Sequence, residues 1–426
     1  MMKNKKKYLS LLLSTVLFAS MLSGCASDSD NVEEEGEEEV VEQTLTIADE
    51  DYYTRFKGDD VEINVYNWGE YICIGEEEGT LDILTEFEEL TGIKVNYTTF
   101  ATNEELYAKL KGGGVSYDVI IPSDYMISKM IKEDMVQKID MNNIPNYKYI
   151  MDDFRNLEYD PQNEYSVPYT WGTVGIIYDT TIIDVAPEDI DWDILWNEDY
   201  ADQILMFDNP RDAFAIAEIM LGYSLNTEDE KELEEAAELL KDQKKIVQAY
   251  VMDEIFDKMG AGDALIAPYY AGDALMIMDE NEDLGFVVPK SGTNLFVDAM
   301  CIPTSSKQKE AAEMFINFMC EPDIAYANID YICYSTPHSA AYDMLDEEVR
   351  NDPVSYPSDE VKEHMTVFVN LSDEASKTMQ DLWTQMKSAE DETTSRWLMP
   401  VFLVACLLAV IVILIRRHIK NKKDIF

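Results

Sequence analysis

Between positions 61 and 66, apolar and polar residues alternate with a period of two (Val61-Glu62-Ile63-Asn64-Val65-Tyr66), which predicts a strand with one buried face. The period then lengthens. Leu81, Leu84, Phe87 and Leu90 recur at helical spacing, and Thr91-Gly92 closes that stripe as a helix stop. A second strand is predicted at 94–100, a second helix at 103–111 halted by Gly112-Gly113-Gly114, and a short buried strand at 117–121 closed by Pro122-Ser123. The glycine triplet follows a helix, precedes a strand and lacks a G-K-[ST] ending, so it reads as a turn and not as a phosphate loop. Strands alternating with helices predict an α/β fold with a mainly parallel sheet and right-handed crossovers.

Beyond Trp171-Gly172 the alternation restarts. Strands are predicted at 174–178, 204–207, 264–267, 285–288 and 299–302, with helices at 212–222, 228–242 and 308–319. Residues 28–43 read DSDNVEEEGEEEVVEQ, with almost nothing to bury and a single sign of charge. Such a stretch self-repels and extends, so 26–59 is expected to be an acidic tether, with structure starting near Val61. Once the two ends are set aside, about 330 residues remain, which favours two domains over one core.

The ends carry their own pattern. Lys3, Lys5, Lys6 and Lys7 precede an apolar run from Tyr8 that closes on Leu22-Ser23-Gly24-Cys25. This order is a secretory signal, and its ending on Cys resembles a bacterial lipoprotein signal over 1–25, in which Cys25 is lipidated. An uncleaved anchor helix is the alternative. Leu398 to Ile415 is an uncharged apolar run of about 18 residues, long enough to cross a bilayer. It gives an expected transmembrane helix at 397–415, with a buried core helix as the alternative. The basic tail 416–426 (Arg416, Arg417, Lys420, Lys422, Lys423) is then cytoplasmic and the acidic body lies on the outer face of the membrane. An exported, tethered body has no ready access to ATP or NAD. Capture, sensing and cell-wall chemistry become the leading classes.

Composition narrows them. There are 85 acidic against 33 basic residues, a formal charge of −52, which disfavours nucleic acid and favours cations near the surface. That field fades within about 8 Å at physiological salt, so it speeds encounter without defining a site. Cys73, Cys301, Cys320 and Cys333 show no C-x-x-C spacing; they could pair in any of three ways or stay as buried thiols. The chain has only His338, His364 and His418, with no H-E-x-x-H and no G-x-S-x-G. No enzyme, metal or cofactor is expected.

Several segments, in order, resemble the solute-binding proteins of spermidine/putrescine ABC transporters. They include Asn67-Trp68-Gly69-Glu70-Tyr71, Ile120-Ile121-Pro122-Ser123-Asp124-Tyr125, Ser166-Val167-Pro168-Tyr169-Thr170-Trp171-Gly172, Pro210-Arg211-Asp212, Tyr270-Ala271-Gly272-Asp273-Ala274, Phe296-Val297-Asp298 and Tyr334-Ser335-Thr336-Pro337. The resemblance implies a two-lobed periplasmic-binding-protein fold, type II-like, with a ligand cleft that closes on a hinge. Its lobes are expected at 60–175 with 297–342, and at 176–296 with 343–390. It also implies a monomeric soluble body that captures polyamine and hands it to ABC permease subunits.

A polyamine offers ammonium groups spaced along methylenes, so a fitting site needs carboxylates and flat aromatic walls. The resemblance supplies Trp68, Tyr71, Tyr125, Tyr270, Phe296 and Tyr334 as walls, Asp212, Asp273 and Asp298 as charges, and Ser123 as a hydroxyl partner of an ammonium. Each has a plainer alternative: Tyr71, Tyr125 and Phe296 could be core aromatics, Asp273 a cap and Tyr334 a turn residue. Asp298 is different, since it sits in the apolar run 295–300, where an unpaired carboxylate is costly. Asn209 stands where the spermidine-binding branch has an acid, and Asp273 matches an acid of the putrescine-binding branch, which leans the ligand toward putrescine. Trp171 is expected in hinge packing, and the insertion 73–78 beside the cleft. The competing readings are a receptor for another small cation, an amino acid or a sugar, a sensor acting through a membrane partner, and a cell-wall enzyme.

Overall fold

A ten-stranded sheet runs through the computed structural model, which describes residues 45–388 apart from 48, 77 and 78. The strands are β1 (Glu62–Trp68), β2 (Lys94–Phe100), β3 (Val119–Ile120), β4 (Ser166–Asp179), β5 (Ile204–Phe207), β6 (Val247–Val251), β7 (Ile266–Tyr270), β8 (Leu284–Val287), β9 (Thr293–Cys301) and β10 (Met365–Thr366). Their order is β2-β1-β3-β9-β4-β7-β5-β6, with β8 on β4 and β10 on β9. The chain folds as two lobes, the first around β1–β3 and the second around β5–β7.

Within the lobes the expected parallel pattern holds: β1 pairs in parallel with β2 and β3, and β5 with β6 and β7. The sheet as a whole is mixed, not mainly parallel, because β4 and β9 run antiparallel to each other and to their neighbours β7 and β3. Connectivity is the reason. The first half of β4 pairs with β9 and its second half with β7 and β8, so one strand of 14 residues carries the chain between lobes and β9 brings it back.

Local chemistry sets the boundaries. In β1, Ile63 and Val65 are fully buried, as the period of two requires. The helix Ile83–Thr91 starts where the Asp82 carboxylate accepts from the Thr85 N–H and stops at Gly92, whose φ of +75° favours glycine. The first half of β4 was not legible, because Pro168 and Gly172 interrupt its pattern and a register shift follows Pro168. The short strands β6 and β10, and the helices Ala271–Glu280, Pro322–Ile332 and Asp373–Ser388, also went unpredicted.

The folded body begins earlier than Val61. A helical turn at Glu50–Tyr53 is capped by Asp49, whose carboxylate accepts from the Tyr52 N–H. Tyr53 is fully buried; its hydroxyl donates to Glu321 Oε1 at 2.8 Å and accepts from Asn317 Nδ2 at 2.6 Å. The expected tether 26–59 is therefore too long at its C-terminal end. Aromatic residues set among the acids give this segment something to bury. Cys73, Cys301 and Cys320 are buried free thiols, and Cys333 is partly exposed. The signal sequence, Cys25, the run 397–415 and the basic tail lie outside the described residues, among which no helix is long and apolar enough to cross a membrane.

Candidate ligand-binding cleft

Parallel strands of both lobes end at one cavity, as carboxyl ends do in open α/β sheets. Trp68 is the last residue of β1, and Ser123 follows β3 and leads into the helix Asp124–Lys132. From the second lobe, Asp212 lies in the first turn of the helix Pro210–Leu221 after β5. Tyr270 ends β7, and Asp273 lies in the first turn of the helix Ala271–Glu280. Phe296 and Asp298 are two apart on β9 and so share a face. With Tyr71, Tyr125 and Tyr334, all ten sequence-predicted residues line this cavity, whose empty volume is about 580 Å³ with part of it open to solvent.

The walls are aromatic. Tyr71 meets Tyr334 edge-on with ring centroids 4.7 Å apart, Phe296 lies 6.3 Å from Tyr334, and Tyr270 lies 5.6 Å from Phe296. Two glycines keep these rings in place: a Cβ at Gly272 would lie 2.2 Å from the Tyr334 ring, and one at Gly172 would lie 2.8 Å from Phe296.

The charge is entirely acidic. Asp212, Asp253, Asp273 and Asp298 line the cavity, and among the described residues no lysine, arginine or histidine does. Asp298 is 3% exposed and accepts from the Tyr71 hydroxyl at 2.7 Å through Oδ2, while its Oδ1 is buried with no partner. Burial pushes its carboxyl up to about 6, against the pull of the Tyr71 and Ser123 hydroxyls. Asp212 accepts from the Tyr270 hydroxyl at 2.8 Å and Asn209 Nδ2 at 2.6 Å, and burial raises it to about 7. Asp273 is raised well above the usual range by burial, opposed by a hydrogen bond from Tyr334. Trp68 Nε1 and Asn294 Oδ1 are likewise buried without partners. Unpaired polar atoms are costly inside a protein, and here three side chains around one cavity carry them. A ligand with ammonium donors and an apolar stem would meet the two acceptors, Asp298 Oδ1 and Asn294 Oδ1, and leave the Trp68 N–H to a separate acceptor.

Several lining residues were missed. Asn294 shares the face of Phe296 and Asp298, so the period of two in β9 contained the signal. Asn103 sits beside Ser123, donating from Nδ2 to its hydroxyl oxygen at 3.1 Å and accepting from its N–H. Asp253 packs so closely on Gly69 that a Cβ there would lie 2.2 Å from Oδ2, a contact between lobes that no local pattern announces. Phe368 also lines the cavity. Trp171 does not line it; its backbone N–H donates to Ser335 O at 3.0 Å. The described residues of the 73–78 insertion are also absent from the lining, and Cys73 N–H donates to Asn328 Oδ1 at 3.0 Å instead.

Residues 116–362 match the family model described as bacterial extracellular solute-binding protein. The spermidine/putrescine-binding periplasmic protein of Salmonella typhimurium is 38% identical over 294 residues, 68% of this chain and 82% of that protein. The putrescine-binding periplasmic protein SpuD of Pseudomonas aeruginosa is 32% identical over 346 residues, 77% of this chain and 92% of that protein. Among solved structures, the spermidine/putrescine ABC transporter substrate-binding protein PotD of Streptococcus pneumoniae matches with a TM-score of 0.64 at 39% identity, covering 77% of this chain and 99% of that one.

Proposed function

This chain belongs to the bacterial extracellular solute-binding protein family, and we propose that it captures a linear polyamine, putrescine or spermidine, for import by an ABC permease. It is a binding protein and not an enzyme. The observation that carries the ligand class is the cavity itself: four carboxylates, no basic side chain among the described residues, aromatic walls, and a buried Asp298 Oδ1 without a partner. In this reading Asp298, Asp212 and Asp273 receive the ammonium groups. Trp68, Tyr71, Tyr125, Tyr270, Phe296 and Tyr334 enclose the methylene stem, and the Ser123 hydroxyl takes one more ammonium hydrogen. Asn209 and Asp273 lean the preference toward putrescine.

Membrane attachment is part of the same proposal. Cys25 carries lipid, 397–415 spans the bilayer and the basic tail stays inside, so the body works on the outer face beside the permease. The lobes comprise 60–175 with 297–342, and 176–296 with 343–390, hinged so that they close on the ligand. Calorimetry of the full chain in detergent, titrated with putrescine, spermidine, spermine and an amino-acid panel, tests the ligand. Micromolar or tighter binding of a polyamine is expected. No heat with any polyamine, alongside binding of a sugar or neutral amino acid, would overturn the reading.

A further inference from the structure

Asp212 faces the cavity, but its neighbour Arg211 does not, and polyamine capture gives Arg211 no task. Its side chain is 4% exposed on the helix Pro210–Leu221. Nη2 donates to Asn226 Oδ1 at 2.7 Å and to the Val369 carbonyl at 3.4 Å, while Nε and Nη1 are buried with no partner. The guanidinium carbon lies 4.3 Å from the Phe368 ring centroid and 5.8 Å from that of Tyr125, so it backs two of the cavity's walls.

Two carboxylates flank this group, and each has oxygens to spare. Glu218, two turns along the same helix, is fully buried with neither oxygen hydrogen-bonded. Glu104, on the helix Asn103–Gly112 of the first lobe, accepts from the Tyr125 hydroxyl at 3.0 Å through Oε1, and its Oε2 is buried and unpartnered. Both carboxyls are raised by burial and drawn back in part by the Arg211 charge, while burial lowers Arg211 against the opposing pull of Glu218, then Tyr125, Asp212 and Glu104. A groove lined by Glu104, Tyr125, Arg211 and Asp373 runs along the seam beside Arg211 and Glu104.

We propose that Arg211 is a closure latch, shared between Glu218 on its own helix and Glu104 on the opposite lobe, and that closure over the ligand completes the Glu104 pair. The proposal rests on the polyamine-receptor reading for its ligand, not for its geometry. A guanidinium has five donors and a fixed fork, so it can exchange one carboxylate for another by a small rotation. An ammonium bound at Asp212 offsets that carboxylate's pull on Arg211 and releases the guanidinium toward Glu104. Arg211 thus acts as a positioning residue. By reciprocity, a latch that favours closure tightens ligand binding by the factor with which ligand favours closure.

The test places fluorophores at the exposed Val115 and Ile182, one on each lobe, and reads the inter-lobe distance with and without putrescine. Glu104→Gln is expected to open the free protein and weaken putrescine binding by at least about fivefold, the lower end of typical coupling between sites. Glu218→Gln removes the competing partner and shifts both readings the other way. Asp373→Asn is the control, since it removes the ion pair of the exposed Asp373 with Lys129, 3.9 Å away across the same seam. Unchanged distance and affinity in Glu104→Gln, or equal effects in Glu104→Gln and Asp373→Asn, would overturn the latch and leave Arg211 bridged statically, through buried water. If the wild-type chain bound no polyamine, the receptor reading would fall, while the free-protein distances would still decide the latch.

Discussion

Asp298 shows how a residue can be legible before any fold is known. A carboxylate inside an apolar run has few ways to be tolerated, and the structure leaves its Oδ1 buried and unpaired beside the cavity. Removing one partner of a desolvated charge pair costs about 2–5 kcal/mol, much of it from the group left behind. At about 1.4 kcal/mol per tenfold, Asp298→Asn should weaken polyamine binding by roughly 30-fold or more. Glu234→Gln, on an exposed position of the helix Glu230–Gln243, removes the same charge and should change little at physiological salt. Equal, small effects in a calorimetric comparison would mean that Asp298 does not contact the ligand. Asn294 was legible in the same way and was overlooked, because an uncharged amide raises no alarm in an apolar strand. Asp253 and Phe368 were not legible: each reaches the cavity through a meeting of segments distant in sequence, and only the tertiary fold supplies that.

At the scale of elements, the sequence reading succeeded where one period ran uninterrupted and failed where two demands overlapped. The helix Lys309–Met319 and strands β1, β2 and β5 match their predicted spans closely. In contrast, β4 is buried along almost its whole length and contains Pro168, so it offers neither alternation nor a clean apolar run. The N-terminal strap failed for a compositional reason. Its acids suggested solvated chain, yet Tyr53 is anchored between Glu321 and Asn317. Tyr53→Phe keeps the packing and strands the buried Asn317 amide, while Glu321 Oε1 keeps its hydrogen bond from Asn146 Nδ2 at 2.7 Å, and the loss should cost about 1–3 kcal/mol. Urea denaturation of the two proteins reads that loss directly. An unchanged midpoint would mean that the strap lies on the body without supporting it.

For the molecule as a whole, two half-sheets joined through β4 and β9 bring acids from separate lobes into one space, and their electrostatics become collective. Burial raises Asp298 to about 6 and Asp212 to about 7 from an ordinary 3.8, and raises Asp273 well above that ordinary value too. A carboxyl raised on folding favours the folded state fully below the unfolded value, and that contribution is lost as pH rises through the folded value. The free protein should therefore lose stability between about pH 4 and pH 7 through these groups. A polyamine cation demands their ionised forms, so the opposite slope applies to binding. Affinity should rise from pH 5 to pH 7, with protons released to the buffer as ligand enters. Calorimetry at pH 6 in two buffers of different ionisation enthalpy measures that release, and the thermal shift given by putrescine should grow over the same range. Binding heats independent of the buffer, with an affinity flat from pH 5 to pH 7, would show that the cavity carboxylates are already ionised in the free protein, and that burial alone does not govern their charge.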